Sequence, residues 1–165
     1  MLYVAKALQD DSAGGAVKIN KTLFNADFAH MRAYGRPITG AEYQKLPMGP
    51  ALRRLLPVRT RLIENGSAML REEMRLGYKL QRLVPLREPD VSVLTDTEMQ
   101  MLDEAIESMT GRTGTQVSDA SHTEPGWRMV DDNETIPYET AFLRRPVVTE
   151  AVRRRIRELA AERPL

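Results

Sequence analysis

The chain has 165 residues, 42% of them hydrophobic, with a mean hydropathy of −0.41 and a formal net charge of +1. It contains no cysteine, which excludes disulfides, thiolate metal sites and a cysteine nucleophile. No apolar run approaches the ~20 residues that a membrane span requires. We therefore expect one cytoplasmic domain over residues 1–165, without membrane contact and long enough to bury about 70% of its unfolded surface.

The small net charge hides an uneven distribution along the chain. Residues 96–107 contain five carboxylates and no cation, whereas residues 144–163 contain seven arginines. Four more arginines lie close together: Arg53, Arg54, Arg59 and Arg61. This segregation favours contact with a partner of complementary charge. The near-neutral balance does not favour nucleic-acid binding.

The first 34 residues predict two helices. Residues 1–8 predict a short helix, and apolar residues at helical spacing predict a long one over 16–34. Gly35 ends the long helix, and Pro37 prevents it from continuing.

A loop dense in glycine and proline follows the long helix. Gly40 makes one break, and the Gly49-Pro50 pair makes another. Pro50 then suits the start of a helix over residues 52–63. Pro57 lies inside that segment and is expected to kink or split the helix.

The second half predicts further helices and an ambiguous segment. Residues 68–84 are compatible with two short strands, and also with a helix. Thr95 and Glu98 have the spacing of a reciprocal N-terminal capping box, which predicts a helix ending at Gly111. Residues 114–121 predict a short helix.

The end of the chain predicts a turn and a final helix. The turn over 124–126 is expected to present Trp127. An amphipathic, arginine-rich helix is expected at about 148–161, with its apolar stripe on the domain and its arginines in solvent. Together these patterns predict a mainly α fold, a compact single-domain helical fold with at most a small β-hairpin.

The two histidines each follow an aspartate by three residues, as Asp27-x-x-His30 and Asp119-x-x-His122. On a helix this spacing places the carboxylate and the imidazole on one face. Two such pairs brought together would suit a metal-dependent hydrolase. The alternative is that each pair supports packing. No Walker loop, nucleophile elbow or HExxH motif is present, so we expect no enzyme activity, metal or other cofactor.

Three large side chains have both a binding and a structural interpretation. Trp127, the only tryptophan, is either a buried core residue or an anchor for a partner; the core is favoured. His122 is expected to form a hydrogen bond across the Trp127 turn. Tyr43 and Met48 lie in the constrained loop, which suits either a scaffold or a rigid binding surface.

Two blocks of the sequence resemble the Panacea domain of SocA-like antitoxins, a family also described as phage-associated proteins. The first block comprises ADFAH at 26–30, GRPITG at 35–40, Tyr43 and PMGP at 47–50. The second comprises residues 94–98, VSDASH at 117–122 and Trp127. The residues that carry the resemblance are interpreted as a structural motif: Asp27, His30, Gly35, Pro37, Gly40, Gly49, Pro50, Asp119, His122 and Trp127.

The resemblance implies an antitoxin that binds and neutralises a cognate protein toxin, usually encoded beside it. Some relatives also deliver the toxin to an ATP-dependent protease. Partner-binding positions consistent with this role are Tyr43, Met48, Arg53 and Arg54. The alternatives are the metal-dependent hydrolase, with its two Asp/His pairs, and a nucleic-acid-binding repressor that uses the terminal arginine helix. Homo-oligomer formation is left open.

Overall fold

The computed structural model describes residues 1–75, 77–143 and Arg154. Its helices are α1 (Leu2–Ala7), α2 (Ala16–Tyr34), α3 (Leu55–Glu64), α4 (Asp96–Met109), α5 (Gly114–Ser121) and α6 (Pro125–Met129), with a 3₁₀ helix at Tyr138–Phe142. Its strands are β1 (Tyr43–Leu46), β2 (Gly49–Leu52), β3 (Ala68–Arg75) and β4 (Tyr78–Pro85). Apart from Arg154, the predicted helix over 148–161 lies outside the described residues. None of the helices described here has the length and apolar character needed to cross a bilayer.

The fold is mixed α/β, so the prediction of a mainly helical fold is wrong. The structure contains two antiparallel two-stranded sheets, β1–β2 and β3–β4. In the first, Tyr43 pairs with Leu52; in the second, Ala68 pairs with Pro85. The β3–β4 hairpin is the strand alternative predicted for residues 68–84. The β1–β2 hairpin lies where the sequence predicts only a punctuated loop.

Contacts with a segment distant in sequence explain why the β1–β2 hairpin forms. The Lys45 N–H donates to the Glu134 carbonyl at 3.0 Å, and the Ile136 N–H donates to the Tyr43 carbonyl at 2.8 Å. Strand β1 therefore has a hydrogen-bonded neighbour on each edge. Such pairing stabilises four-residue strands that are marginal alone, and the glycine and proline pattern of the loop does not reveal it.

Helix α2 is the central element, and its bounds confirm the predicted helix over 16–34. Ile19 and Leu23 pack into one hydrophobic cluster with α1, β4 and α4. Phe24 and Phe28 pack into a second cluster, which includes Tyr43 from β1. Because two clusters lie on different sides of α2, this helix is buried over most of its circumference. It therefore positions the elements on both sides.

Helix starts follow the predicted capping chemistry with one exception. In α4 the Thr95 side chain accepts from the Glu98 N–H while Glu98 accepts from the Thr95 N–H, which confirms the predicted capping box. Helix α3 begins at Leu55 and not at residue 52. Pro57 is therefore its third residue. A backbone N–H at this position would have no partner within the helix, so the lack of one in proline does not break the helix. The turn before Trp127 is the start of α6, with Pro125 as its first residue.

Candidate partner-binding surface

Asp27 is a fully buried carboxylate that joins α2 to the loop after it. One oxygen accepts from the Thr39 N–H at 2.7 Å. The other accepts from the Thr39 hydroxyl at 2.5 Å, from the Tyr43 hydroxyl at 2.7 Å and from the Tyr138 hydroxyl at 3.2 Å. A buried carboxylate is stable only with such donors. Asp27 therefore holds the loop with Gly35, Pro37 and Gly40 against the helix.

Tyr43 lies in the core, so its side chain is not exposed for contact with a partner. It is 1% exposed, and its ring packs edge-on against Phe24 and Phe28 at 5.3 and 5.9 Å. Burial, reinforced by the Asp27 charge, raises its pKa well above the ordinary tyrosine value. Tyr43 therefore packs in the core and is not part of the partner surface proposed below.

His30 is also buried and joins the end of α2 to the start of α4. Its Nδ1 lies 2.7 Å from the Arg36 carbonyl, so this nitrogen carries the proton and donates. Its Nε2 then accepts from the Thr97 hydroxyl at 3.4 Å. The ring packs against Tyr34 in a tilted arrangement, with centroids 4.6 Å apart and an interplanar angle of 38°. Both ring nitrogens therefore have structural partners.

The two Asp/His pairs do not form a common site. Asp119 is exposed on α5, while Asp27 is buried. Within residues 1–75 and 77–143, no three His, Asp or Glu side chains are close enough to hold a metal ion. The ligand set that the hydrolase alternative requires is therefore not assembled in this part of the chain.

The turn between β1 and β2 is anchored from below while Met48 remains exposed. The Ser118 hydroxyl donates to the Met48 carbonyl at 2.9 Å, and the buried Lys21 ammonium donates to the Pro50 carbonyl at 2.8 Å. Gly49 has φ of 91° and sits directly against Ser121 and Lys21. The Met48 side chain is 54% exposed. A rigid turn thus presents one flexible apolar side chain.

His122 and Trp127 form a stacked pair beside this turn. Their ring centroids are 4.4 Å apart, and Lys45 lies 4.8 Å from the centre of the Trp127 ring. Trp127 donates from Nε1 to the Leu46 carbonyl at 3.0 Å, and His122 Nε2 lies 3.0 Å from the Pro47 carbonyl. Trp127 is half-buried and not a full core residue. The His122 bond reaches the β1–β2 turn, not across its own turn as predicted.

The two predicted arginines differ in their contacts. Arg53 forms an ion pair with Glu42 at 3.8 Å, and it donates to the Asn133 carbonyl at 3.0 Å and the Thr135 hydroxyl at 3.1 Å. It therefore connects β2 to the segment that pairs with β1. Arg54 is exposed and has no ion pair with any residue that the structure describes. Only Arg54 is free for a partner in this arrangement.

The sequence patterns did not identify several residues that form contacts in this region. Thr39 lies inside the GRPITG block, so its role was within reach of a motif argument. Tyr138 and Lys21 had no such signal, because their partners Asp27 and Pro50 come from distant parts of the chain. Leu56 and Ile63 are spaced for one helical face, and both are exposed.

Most of this region matches a known protein family. Residues 19–128 match the family described as the SocA-like antitoxin, Panacea domain. The match covers more than half of the chain and includes both hairpins, so the protein belongs to this family. No curated protein and no solved structure shows a significant match to the chain. This family match confirms the resemblance that the two motif blocks indicated.

Proposed function

We propose that this protein is an antitoxin that neutralises a cognate protein toxin by binding it directly. The observation that carries the proposal is the match of residues 19–128 to the SocA-like antitoxin family. The matched segment contains both β-hairpins and helices α3, α4 and α5. The exposed surfaces of these elements are therefore the places where we seek the contact.

Direct neutralisation requires exposed anchors on a rigid framework, and it requires no catalytic group. Protein interfaces obtain most of their affinity from a few well-packed side chains. Two exposed apolar positions of the matched segment suit this role, Met48 at 54% and Leu56 at 58%. The hydrogen bonds of Ser118 and Lys21 hold the turn beneath Met48, which reduces the entropy lost on binding.

Co-expression tests the proposal. The reading frame adjacent to this gene is expressed from an inducible promoter, alone and together with this protein. We expect growth to stop in the first case and to be rescued in the second, with the two proteins co-purifying. A Phe24→Asp variant, which places a charge in the core, serves as the unfolded control. A harmless adjacent frame that forms no complex would show that the proposal is wrong for this chain.

Toxin lifetime separates occlusion from delivery to an ATP-dependent protease. We propose occlusion, so the toxin should accumulate in the complex and keep its half-life. Delivery instead shortens the half-life, and a strain lacking the protease restores it. The nucleic-acid repressor alternative stays a prediction, because its arginine helix over 148–161 lies, apart from Arg154, outside the described residues.

A further inference from the structure

Strand β3 has a hydrogen-bonded neighbour on one side only. Its eight residues pair with β4, and just beyond the strands the Leu86 N–H donates to the Ser67 carbonyl at 2.9 Å. Hydrogen bonds alternate along an antiparallel pair, so the odd-numbered residues of β3 bond to β4 and the even-numbered ones direct their backbone groups away from it. These outward backbone groups, the β3 edge, belong to Leu70, Glu72 and Met74.

The β3 edge is open, whereas the outer edge of β4 is covered. Within the described residues, the backbone of Leu70, Glu72 and Met74 makes no hydrogen bond to another element. The Met74 side chain is 71% exposed. On β4, by contrast, the Gln81 carbonyl lies 3.4 Å from the position that a Cβ on Gly15 would occupy. The start of α2 therefore lies against the edge of β4.

The two faces of the β3–β4 hairpin pack on the domain. Leu55 of α3 lines a pocket together with Leu70 and Leu83, so α3 lies over the face that carries these side chains. Arg82 points to the opposite face, where it donates to the Leu8 carbonyl at 2.9 Å. The side of β3 that remains for another strand is therefore its edge.

The charges on β3 determine which strand suits this edge. An unpaired edge strand is a template for another strand, and proteins commonly protect it with proline, lysine or a bulge. The sequence of β3, AMLREEMR, has neither proline nor lysine, and its register with β4 is continuous. It carries charges of both signs instead, at Arg71, Glu72 and Glu73.

In one register these charges are complementary to those of a second copy. Two copies related by a two-fold axis pair antiparallel, with one residue facing itself at the centre. With Glu72 at the centre, Arg71 faces Glu73 of the second copy on each side, and Leu70 faces Met74. With Arg71 or Glu73 at the centre, two like charges face each other in the closest type of pair. Centres nearer either end of the strand pair fewer residues.

Glu72 is suited to the central position because its charge is compensated within its own chain. Its carboxylate forms an ion pair with Lys79 at 2.7 Å and accepts from Gln81 at 3.1 Å. The two copies of Glu72 would also form a hydrogen-bonded pair, in which the Cα atoms are about 5.5 Å apart and not about 4.5 Å. Repulsion at the centre is therefore small.

We propose that this protein forms a two-fold symmetric homodimer in which the β3 edges of two copies pair with Glu72 at the centre. The two hairpins then form one four-stranded antiparallel sheet, with about six new backbone hydrogen bonds. Arg71 and Glu73 of both copies form a cluster of alternating charges. A strand of another protein offers the same backbone groups, but the order of charges on β3 matches β3 itself. The inference does not depend on the proposed antitoxin function.

Cross-linking tests the dimer and its register, because the chain has no cysteine. Glu72→Cys places two thiols on residues about 5.5 Å apart. Met74→Cys is the matched control on the same edge, where the two thiols are about 14 Å apart along the paired strands. With a short bismaleimide under reducing conditions, we expect Glu72→Cys to give a covalent dimer and Met74→Cys to stay almost entirely uncross-linked. Both replace exposed side chains, so the melting temperature should hold.

Sedimentation of the full chain over a range of concentrations measures the strength of pairing. Arg71→Glu places a carboxylate opposite Glu73 of the second copy, so we expect it to raise the dimer Kd by about tenfold or more. This difference should shrink as NaCl rises from about 50 to about 500 mM. Arg128→Glu, at an exposed arginine on α6, is the matched control and should change Kd by less than about twofold.

Several results would overturn the inference. One is an unaltered protein that stays monomeric up to about 1 mM. Another is a dimer that Arg71→Glu leaves unchanged, or in which Met74→Cys cross-links as fast as Glu72→Cys, because pairing then uses another surface or register. If the protein alone is monomeric and Arg71→Glu weakens toxin binding, the β3 edge is assigned to the toxin. These measurements need no toxin to detect the dimer, so this proposal and the antitoxin function fail separately.

Discussion

The buried carboxylate of Asp27 accepts hydrogen bonds from Thr39, Tyr43 and Tyr138. These donors come from the loop after α2, from β1 and from the 3₁₀ helix. One side chain thus joins segments that are far apart in the chain. These hydrogen bonds give an aspartate of the first motif block a structural role.

Tyr43→Phe tests the structural role of this cluster. The change keeps the ring in the core but removes the hydroxyl that donates to Asp27 at 2.7 Å. We expect a loss of ~1–3 kcal/mol in the free energy of unfolding, because a buried carboxylate then loses a donor. Urea denaturation measures the loss.

Tyr138→Phe is the matched control. Its hydroxyl is half-buried and shares one proton between the Ala41 carbonyl at 2.7 Å and Asp27 at 3.2 Å. The change therefore removes mainly a bond to a neutral acceptor, and we expect a smaller loss. Toxin neutralisation by the Tyr43 variant should decrease only as its folded fraction decreases. A Tyr43→Phe protein with normal stability and reduced toxin binding would place this residue in the interface after all.

The β1–β2 hairpin shows how a short element depends on contacts from outside. Its strands have four residues each. Ser118 and His122 hold its turn from α5, and Lys21 holds β2 from α2. Gly49 is the residue at which these contacts meet. The hairpin is therefore rigid while the Met48 side chain remains exposed.

Gly49→Ala and Gly40→Ala separate two reasons for glycine. Both residues have positive φ, 91° and 62°. A Cβ at Gly40 has no atom within 4 Å, whereas a Cβ at Gly49 would lie 2.1 Å from the Ser121 hydroxyl and 2.6 Å from the Lys21 nitrogen. We expect Gly40→Ala to cost about 1 kcal/mol and Gly49→Ala about 3 kcal/mol or more.

Thermal or urea melts of the two glycine variants measure the difference. Adding Ser121→Ala to Gly49→Ala removes the nearest clashing atom and should restore part of the stability. Equal costs at the two positions would indicate that the contacts around Gly49 adjust without strain, and that the turn is held less tightly than the hydrogen bonds suggest.

The stability of the whole molecule is expected to depend on pH through Lys21. Burial lowers its pKa from the ordinary 10.5 to about 8. Between these two values the unfolded chain binds the proton that the folded chain has released. The free energy of unfolding should therefore rise as pH increases from about 8 to about 10, by on the order of 2–3 kcal/mol.

Other groups contribute little over most of this interval. Burial lowers the pKa of the Met1 amino group from 8.0, so its contribution is nearly complete by about pH 9. Burial and the Asp27 charge raise the pKa values of Tyr43 and Tyr138, so these lower stability only above about pH 10. In urea melts of Lys21→Met the free energy of unfolding should lose most of this rise and be flat from about pH 9 to about pH 10. Lys79→Met, at an exposed lysine, is the control and should keep the rise. A rise that persists in Lys21→Met would contradict the assignment.

Local sequence patterns determined several helices of this protein and its family. Helix α2, the Thr95 capping box and the short helix α5 depend on residues three or four apart, whose chemistry acts within one turn. The two motif blocks were also sufficient to identify the family, and the match over residues 19–128 confirms that identification.

Only the tertiary structure decided the roles of the large side chains and the second sheet. Strand β1 pairs with residues 134–136, and short-range periodicity carries no information on such a partner. Tyr43 and Trp127 lie in comparable motif contexts, yet the first is enclosed by Phe24 and Phe28 while the second is half-buried on His122. The burial of a side chain depends on which helices and strands pack against it. Those contacts form only in the complete tertiary structure, because each pair of elements is held in place by its contacts with the other elements.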